Sequence, residues 1–248
     1  MRTEKAYLER VGLLVGEDVL ARLGEVRVLL FGAGGVGSWC AEGLVRSGVR
    51  HLTLVDADVI SESNVGRQLM ATPRTVGQVK VEALRDRLLE VVPDAEITVF
   101  QKIFSAETAD EFAMEGYDYI LDAIDSLKDK GELILRATRT SAKFFCSMGA
   151  ACKVDPTQVK VGEFWNVRGC PLGAALRKKF KQNHTWPGRK FRCVYDEEVL
   201  PNRGGEGKAE TDLFNKAQIN GALVHITAMF GMTLAGLVIE DVYHQIVG

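Results

Sequence analysis

Apolar positions fall along this chain in two alternating patterns: short runs of about five residues, and longer stretches with helical spacing. Val26 to Phe31 (VRVLLF) is a mostly apolar run and predicts a buried parallel strand. Residues 16–23 (GEDVLARL) predict a helix leading into it, and a glycine turn follows at 32–37. Ser38 to Ser47 predicts a helix ending at Gly48, and His51 to Val55 a second strand. Val76 to Val92 has helical spacing, with Val81, Leu84, Leu88 and Val91 on one face and Pro93 as a stop. Further strands are predicted at Ile97–Phe100, Tyr117–Ala123 and Phe144–Met148, with a helix over 127–140. Strands alternating with helices predict an α/β fold, a Rossmann-like, doubly wound, mostly parallel sheet with a C-terminal extension.

The pattern changes after Met148. Cys152 to Phe164 predicts two strands around an Asp155-Pro156 turn, and Leu172 to Lys181 a short basic helix. Residues 182–212, with Pro187, Pro201, Gly204, Gly205 and Gly207, predict a long loop, a feature that is often functional in compact domains. An apolar helix over 221–246 closes the chain. The whole, 1–248, reads as one domain, with a nucleotide-binding core over 1–150 and a substrate or dimer portion over 151–248. Gly221 to Ile239 has no charge except on His225 and could just span a bilayer by length. His225, Thr227, Thr233 and three glycines point instead to a core or dimer helix, and no membrane association is expected.

Composition narrows the class. Apolar residues make up 46% of 248, enough for a full core without staples. A net charge of −2 excludes a globally basic nucleic-acid binder, so any RNA contact must come from a local patch. Five cysteines, an odd number with no C-x-x-C pair, exclude a disulfide framework and a four-cysteine zinc site. Reduced thiols and the charged start MRTEKAYLER, which is no signal peptide, predict a cytoplasmic protein.

The chemistry concentrates at predicted strand ends. Gly32, Gly34, Gly35 and Gly37 lie between a strand and a helix, where glycines allow close backbone approach and the helix N-terminus attracts phosphate. Asp56 ends the next strand, where a carboxylate can accept ribose hydroxyls. Asp58, Asn64, Arg67, Gln68 and Lys80 follow. A dinucleotide needs no such cations, whereas attack at the α-phosphorus of a triphosphate does, because charge develops on the leaving pyrophosphate. Arg67 offers a fork and Lys80 a point charge. At the end of the fourth strand Asp122 reads as structural, and Asp125 either holds Mg²⁺ against phosphates or caps the next helix. Cys193, among Arg189, Lys190 and Arg192, is the best candidate for a thiol nucleophile, or else a passive loop-edge cysteine. Arg177, Lys178, Lys179, Lys181, Arg189, Lys190 and Arg192 alternate with Phe180, His184, Trp186 and Phe191. They suit RNA, or else form a solvated helix face.

Gly32–Gly37, Asp56-x-Asp58, Ser63-Asn64-x-x-Arg67-Gln68, Gly77-x-x-Lys80 and Asp122-x-x-Asp125 stand in the order of the ThiF/MoeB/ubiquitin-activating (E1-like) superfamily, which the chain resembles over about 10–150. The resemblance implies an ATP-using adenylating enzyme. Asp56 would bind the ribose, Arg67 and Lys80 the phosphates, Asp125 Mg²⁺, and Arg10 would reach the ATP site of a second subunit in a homodimer. Ser147-Met148-Gly149-Ala150, Asp155-Pro156-Thr157-Gln158-Val159, Cys170-Pro171-Leu172 and Cys193-Val194-Tyr195 resemble the tRNA threonylcarbamoyladenosine dehydratase branch. That branch implies ATP-dependent cyclisation of the modified adenosine at tRNA position 37, with tRNA as substrate and a sulfur-transfer protein as a further partner. Many members of the branch carry Asp-Pro-Leu where this chain has Cys170-Pro171-Leu172. The alternatives are adenylation of a small sulfur-carrier or ubiquitin-like protein, a nucleotide-binding scaffold without catalysis, and an NAD oxidoreductase, which no proton-relay constellation supports.

Overall fold

Seven strands form one sheet in the order β3-β2-β1-β4-β5-β7-β6 in the computed structural model, which describes residues 6–204 and 220–248. The strands are β1 (Arg27–Phe31), β2 (His51–Val55), β3 (Glu96–Phe100), β4 (Tyr119–Asp122), β5 (Lys143–Ser147), β6 (Lys160–Glu163) and β7 (Arg192–Tyr195). All neighbours are parallel except β6, which runs antiparallel to β7 at the edge. Val28 to Phe31 are all fully buried, which explains the unbroken apolar run: both faces of this strand are covered.

The helices are α1 (Glu9–Val15), α2 (Glu17–Glu25), α3 (Gly37–Arg46), α4 (Lys80–Val91), α5 (Leu127–Ala137), α6 (Pro171–Gln182) and α7 (Val224–Val247). Leu23 of α2, Leu44 of α3, Leu84 of α4 and Phe230 of α7 share one core with one sheet face. Leu133 of α5 and Leu176 of α6 share a second core with the opposite face. Strand order reverses between β1 and β4: β1 leads out to β2, and the chain then returns to the other side of β1. Ligands bind at such a switch point, outside the carboxyl ends of the strands.

Several sequence expectations are corrected here. The helix expected from Val76 starts only at Lys80, because Gly77 has φ +88° and Val79 bridges Val59. Cys152–Phe164 holds one strand, β6, rather than two, since the Asp155 carboxylate accepts the Thr157 amide and tightens Pro156–Gln158 into a 3-10 turn. The expected loop 182–212 contains β7, whose Cys193 and Val194 are fully buried; residues 205–212 lie outside the described residues. Portion 151–248 therefore contributes two strands to the same sheet.

The closing helix α7 is long and apolar enough to cross a membrane, and half of its most apolar window is buried inside the fold. It runs along α3 with small residues at the contact. A Cβ on Gly231 would lie 2.4 Å from the Val36 carbonyl oxygen, and one on Gly43 3.1 Å from the Ala235 side chain. Thr227, Gly231 and Ala235, four residues apart, form the stripe that lets the two helices approach this closely.

Candidate functional site

The crevice at the switch point is built from the glycine turn. Gly32 has φ +91°, and a Cβ there would lie 2.7 Å from the Ala123 carbonyl oxygen. A Cβ on Gly37 would lie 1.7 Å from the Gly32 carbonyl oxygen, so no side chain fits. Gly35 is crowded by Thr227 of α7, 3.2 Å from a Cβ at that position. Gly34 differs: its nearest neighbour would be Gln68 Nε2, at 3.9 Å. Packing requires Gly32 and Gly37, whereas the open space over Gly34 is available to a ligand. Val36 precedes α3 as a cap residue without a side-chain acceptor, and although the Ser38 amide donates to the Gly34 carbonyl at 3.0 Å, no side chain caps the positive end of this helix.

Asp56 ties two strand ends together. Its Oδ2 accepts the Ala33 amide at 2.7 Å and its Oδ1 the Asp58 amide at 2.9 Å. Burial pushes its carboxyl above the ordinary range, opposed by the nearby Lys80 ammonium and by these amides. Lys80 opens α4, and its Nζ donates to Asp58 Oδ2 at 2.6 Å. An ammonium has three hydrogens, so two remain for a phosphate.

The connection after β2 brings the second cation. Asn64 Oδ1 accepts the Ser61 amide in a reciprocal cap, which bends the chain back toward α3. Arg67 Nη1 donates to the Ser63 carbonyl at 2.8 Å, and the Arg67 carbonyl accepts Trp39 Nε1 at 3.1 Å. Gln68 is buried beside Gly34, and its Oε1 accepts no hydrogen bond among the described residues. Across the crevice, Ala123 to Ser126 turn out of β4. Ser126 caps α5 by accepting the Asp129 amide, so the cap expected of Asp125 belongs to its neighbour, and Asp125 is exposed on the turn.

Other candidates stand elsewhere. Cys193 is not a loop thiol. It lies in β7 between β5 and β6, fully buried and opposite Cys146, so no substrate reaches it. Of the five cysteines four are buried, and Cys152 is only partly accessible. Arg189 donates to the carbonyls of Ala137, Thr140 and Ala142, neutralising the carbonyl end of α5 rather than facing an RNA. Arg192 pairs with Glu240 of α7 at 2.7 Å. Arg177 donates to the Phe164 carbonyl at 3.1 Å. Lys178 and Lys190 are exposed and make no ion pair among the described residues. Residues 189–190 precede β7, which runs parallel to β5, and so lie at the strand ends opposite the glycine turn. Arg10 is exposed on α1, and Leu8 just before that helix packs near Gly48 at the same far end, so Arg10 is no part of its own chain's crevice.

Two features of the site escape the motif pattern. One is the approach of α7 to Gly35 through Thr227, signalled only by the small-residue spacing in α7. The other is Lys130, which is fully buried and bonded to Asp122 at 2.8 Å; a lone lysine in a helix gives no such signal.

An uncapped helix N-terminus behind a glycine turn, a carboxylate on the next strand and two cations at a switch point define a nucleotide-phosphate-binding α/β protein. The chain belongs to the ThiF family, which it matches over residues 8–245. It is 34% identical to the tRNA threonylcarbamoyladenosine dehydratase of Haemophilus influenzae, covering 93% of this chain and 90% of that protein. It is 35% identical to the Bacillus subtilis enzyme of the same name, over 94% and 93%. The solved structure of Escherichia coli tRNA N6-threonylcarbamoyladenosine dehydratase in complex with ATP superposes with a TM-score of 0.86 at 28% identity, covering 100% of this chain and 99% of that one.

Proposed function

We propose that this protein is an ATP-dependent dehydratase that adenylates the carboxylate of tRNA N6-threonylcarbamoyladenosine at position 37 and closes it into a ring. The observation that carries this reading is the near-full-length likeness to dehydratases, including the portion after residue 150. Two further observations support it. The crevice offers phosphate-binding groups, and no cysteine is exposed to accept an acyl group from the adenylate.

In this reading the α3 amides and Gly34 receive the phosphates, and Asp56 accepts the ribose hydroxyls. The substrate carboxylate attacks the α-phosphorus, and Arg67 and Lys80 offset the charge that develops as pyrophosphate leaves. The adenylate is then closed by a nucleophile of the substrate itself, releasing AMP. Among the described residues no three His, Cys, Asp or Glu side chains gather at one point, so a cation here needs phosphate oxygens as well as protein ligands. That donor set fits Mg²⁺, which takes one or two carboxylates plus phosphate and water, and Asp125 would hold it. Bound Mg²⁺ would supply charge neutralisation at the phosphates.

The protein works in the cytoplasm as a homodimer. Leu13 and Leu14 of α1 are 81% and 83% exposed, and Leu14 borders an apolar groove with Val15, Gly236, Ile239 and Tyr243. A second copy covering this face would make α1, the helix that carries Arg10, part of the interface. Lys178, Lys181, His184, Lys190 and the half-exposed Trp186 are the groups left for tRNA, and a sulfur-transfer protein is a further partner.

The test is mass spectrometry of tRNA nucleosides after incubation with the protein, ATP and Mg²⁺. The expected product is the cyclic nucleoside, lighter by one water. Unchanged tRNA, together with pyrophosphate exchange that depends on a small carrier protein, would overturn the proposal in favour of carrier activation.

A further inference from the structure

The turn that carries Asp125 is held from both sides. On one side it presses on the glycine turn: Ala123 donates its amide to the Phe31 carbonyl at 2.8 Å, and its own carbonyl closes over Gly32. On the other side lies a buried polar unit. Lys130 Nζ donates to Asp122 Oδ1 at 2.8 Å and to the Ile124 carbonyl at 2.7 Å. Asp122 Oδ1 also accepts the Ile124 amide at 2.9 Å, and its Oδ2 accepts the Cys146 thiol at 3.3 Å. Both the amide and the carbonyl of Ile124, the residue before Asp125, are therefore fixed by fully buried charges.

A buried ion pair is a poor means of stabilising a core, because desolvation offsets its attraction and an apolar pair of similar volume does as well. What an apolar pair cannot do is hold a turn's backbone at one height. Burial lowers the Lys130 ammonium, but its charge pairing and hydrogen bond with Asp122, together with the nearby Cys146 and Cys193, hold it up at about 12, while burial in turn pushes the Asp122 carboxyl above the ordinary range. The hydrogen bonds show what the pair does: Lys130 is anchored on Asp122 and from there donates to Ile124.

We infer that Lys130, Asp122 and Cys146 form a positioning unit that sets the Ala123–Asp125 turn against Gly32 and fixes where the Asp125 carboxylate stands over the crevice. This rests on the reading of Asp125 as the Mg²⁺-binding carboxylate. Lys130 touches neither nucleotide nor metal and acts only through the turn.

The informative variant replaces the whole pair, Asp122→Leu with Lys130→Met, which leaves no unpaired charge. The expected result is a folded protein with a cooperative but lowered melting temperature, because the Ile124 amide and carbonyl lose their partners, and an ATP dissociation constant within threefold by calorimetry without Mg²⁺. The Mg²⁺ concentration for half-maximal ATP tightening should rise at least tenfold, and kcat for pyrophosphate exchange should fall with KM for ATP little changed. A folded double variant with the wild-type Mg²⁺ requirement overturns the proposal. If the double variant does not fold, hydrogen exchange on the wild type decides: the Ile124 amide should be protected like the β4 amides, and rapid exchange there overturns it. The two readings fail differently. Mg²⁺ that does not tighten ATP binding in the wild type defeats the Asp125 assignment itself, whereas normal coupling in wild type and double variant alike defeats only the positioning unit.

Discussion

Gly34 separates ligand binding from folding, and replacing it with alanine should move the two in opposite directions. Its φ is not positive, so alanine can adopt the backbone, and among the described residues the only atom within 4 Å of the added Cβ is Gln68 Nε2 at 3.9 Å, an ordinary contact. A Gly→Ala change at a compatible position stabilises by about 0.4–1 kcal/mol, through loss of unfolded-state freedom. For a chain of this size that corresponds to a rise of roughly 1–4 °C in melting temperature. The same methyl fills the space over the turn through which a phosphate must reach the α3 amides. Losing one amide–phosphate contact costs about 1.5–3 kcal/mol, the range for hydrogen bonds to charged groups. ATP should therefore bind roughly 10–150-fold more weakly. Gly37→Ala is the control: its Cβ would sit 1.7 Å from the Gly32 carbonyl oxygen, so it should unfold the turn and lower stability sharply. Differential scanning fluorimetry and calorimetry with ATP measure both quantities. ATP affinity within twofold of wild type in a folded Gly34→Ala protein would show that the phosphates do not pass over this residue.

Arg67→Ala and Asp125→Ala should each lower pyrophosphate exchange at least about 10²-fold, the order found when one preorganised charge partner is lost; melting temperatures should change little, since neither side chain lies in a core, and near-normal exchange in both refutes the assignment. Arg189→Ala should behave as a stability variant: losing its bonds to three carbonyls should cost about 2 kcal/mol and lower the melting temperature by roughly 4–8 °C, with tRNA binding measured by filter retention unchanged. Asp56 gives a pH signature. Its folded carboxyl is raised by burial, so its contribution to stability is full below the ordinary carboxylate range and is lost as pH rises through the raised value. The melting-temperature difference, wild type minus Asp56→Asn, should therefore shrink as pH rises from about 4 to 7 in the absence of nucleotide, and a difference that grows with pH contradicts the burial account.

The amino-acid sequence by itself determined the alternation of strands and helices as far as β5 and the glycine turn, and it singled out Asp56, Asp58, Asn64, Arg67 and Lys80 as candidates, because each depends on local pattern. Apolar runs buried on both faces, a glycine at a forced φ, and polar residues just past strand ends are all visible at short range. Only the tertiary structure decided the fate of groups whose partners are distant in sequence. Cys193 looked reactive among its basic neighbours, yet pairing between β5 and β6 buries its thiol. Arg189 looked like an RNA contact, yet it answers to carbonyls 47 to 52 residues away. Lys130 looked like any helix lysine, yet the β4–β5 register sets Asp122 beside Cys146, and the turn of α5 brings the lysine onto that carboxylate. The physical reason is the same in each case. Whether a charged or nucleophilic group meets solvent, substrate or a buried partner is settled by desolvation and long-range pairing, and neither is written in the residues next to it.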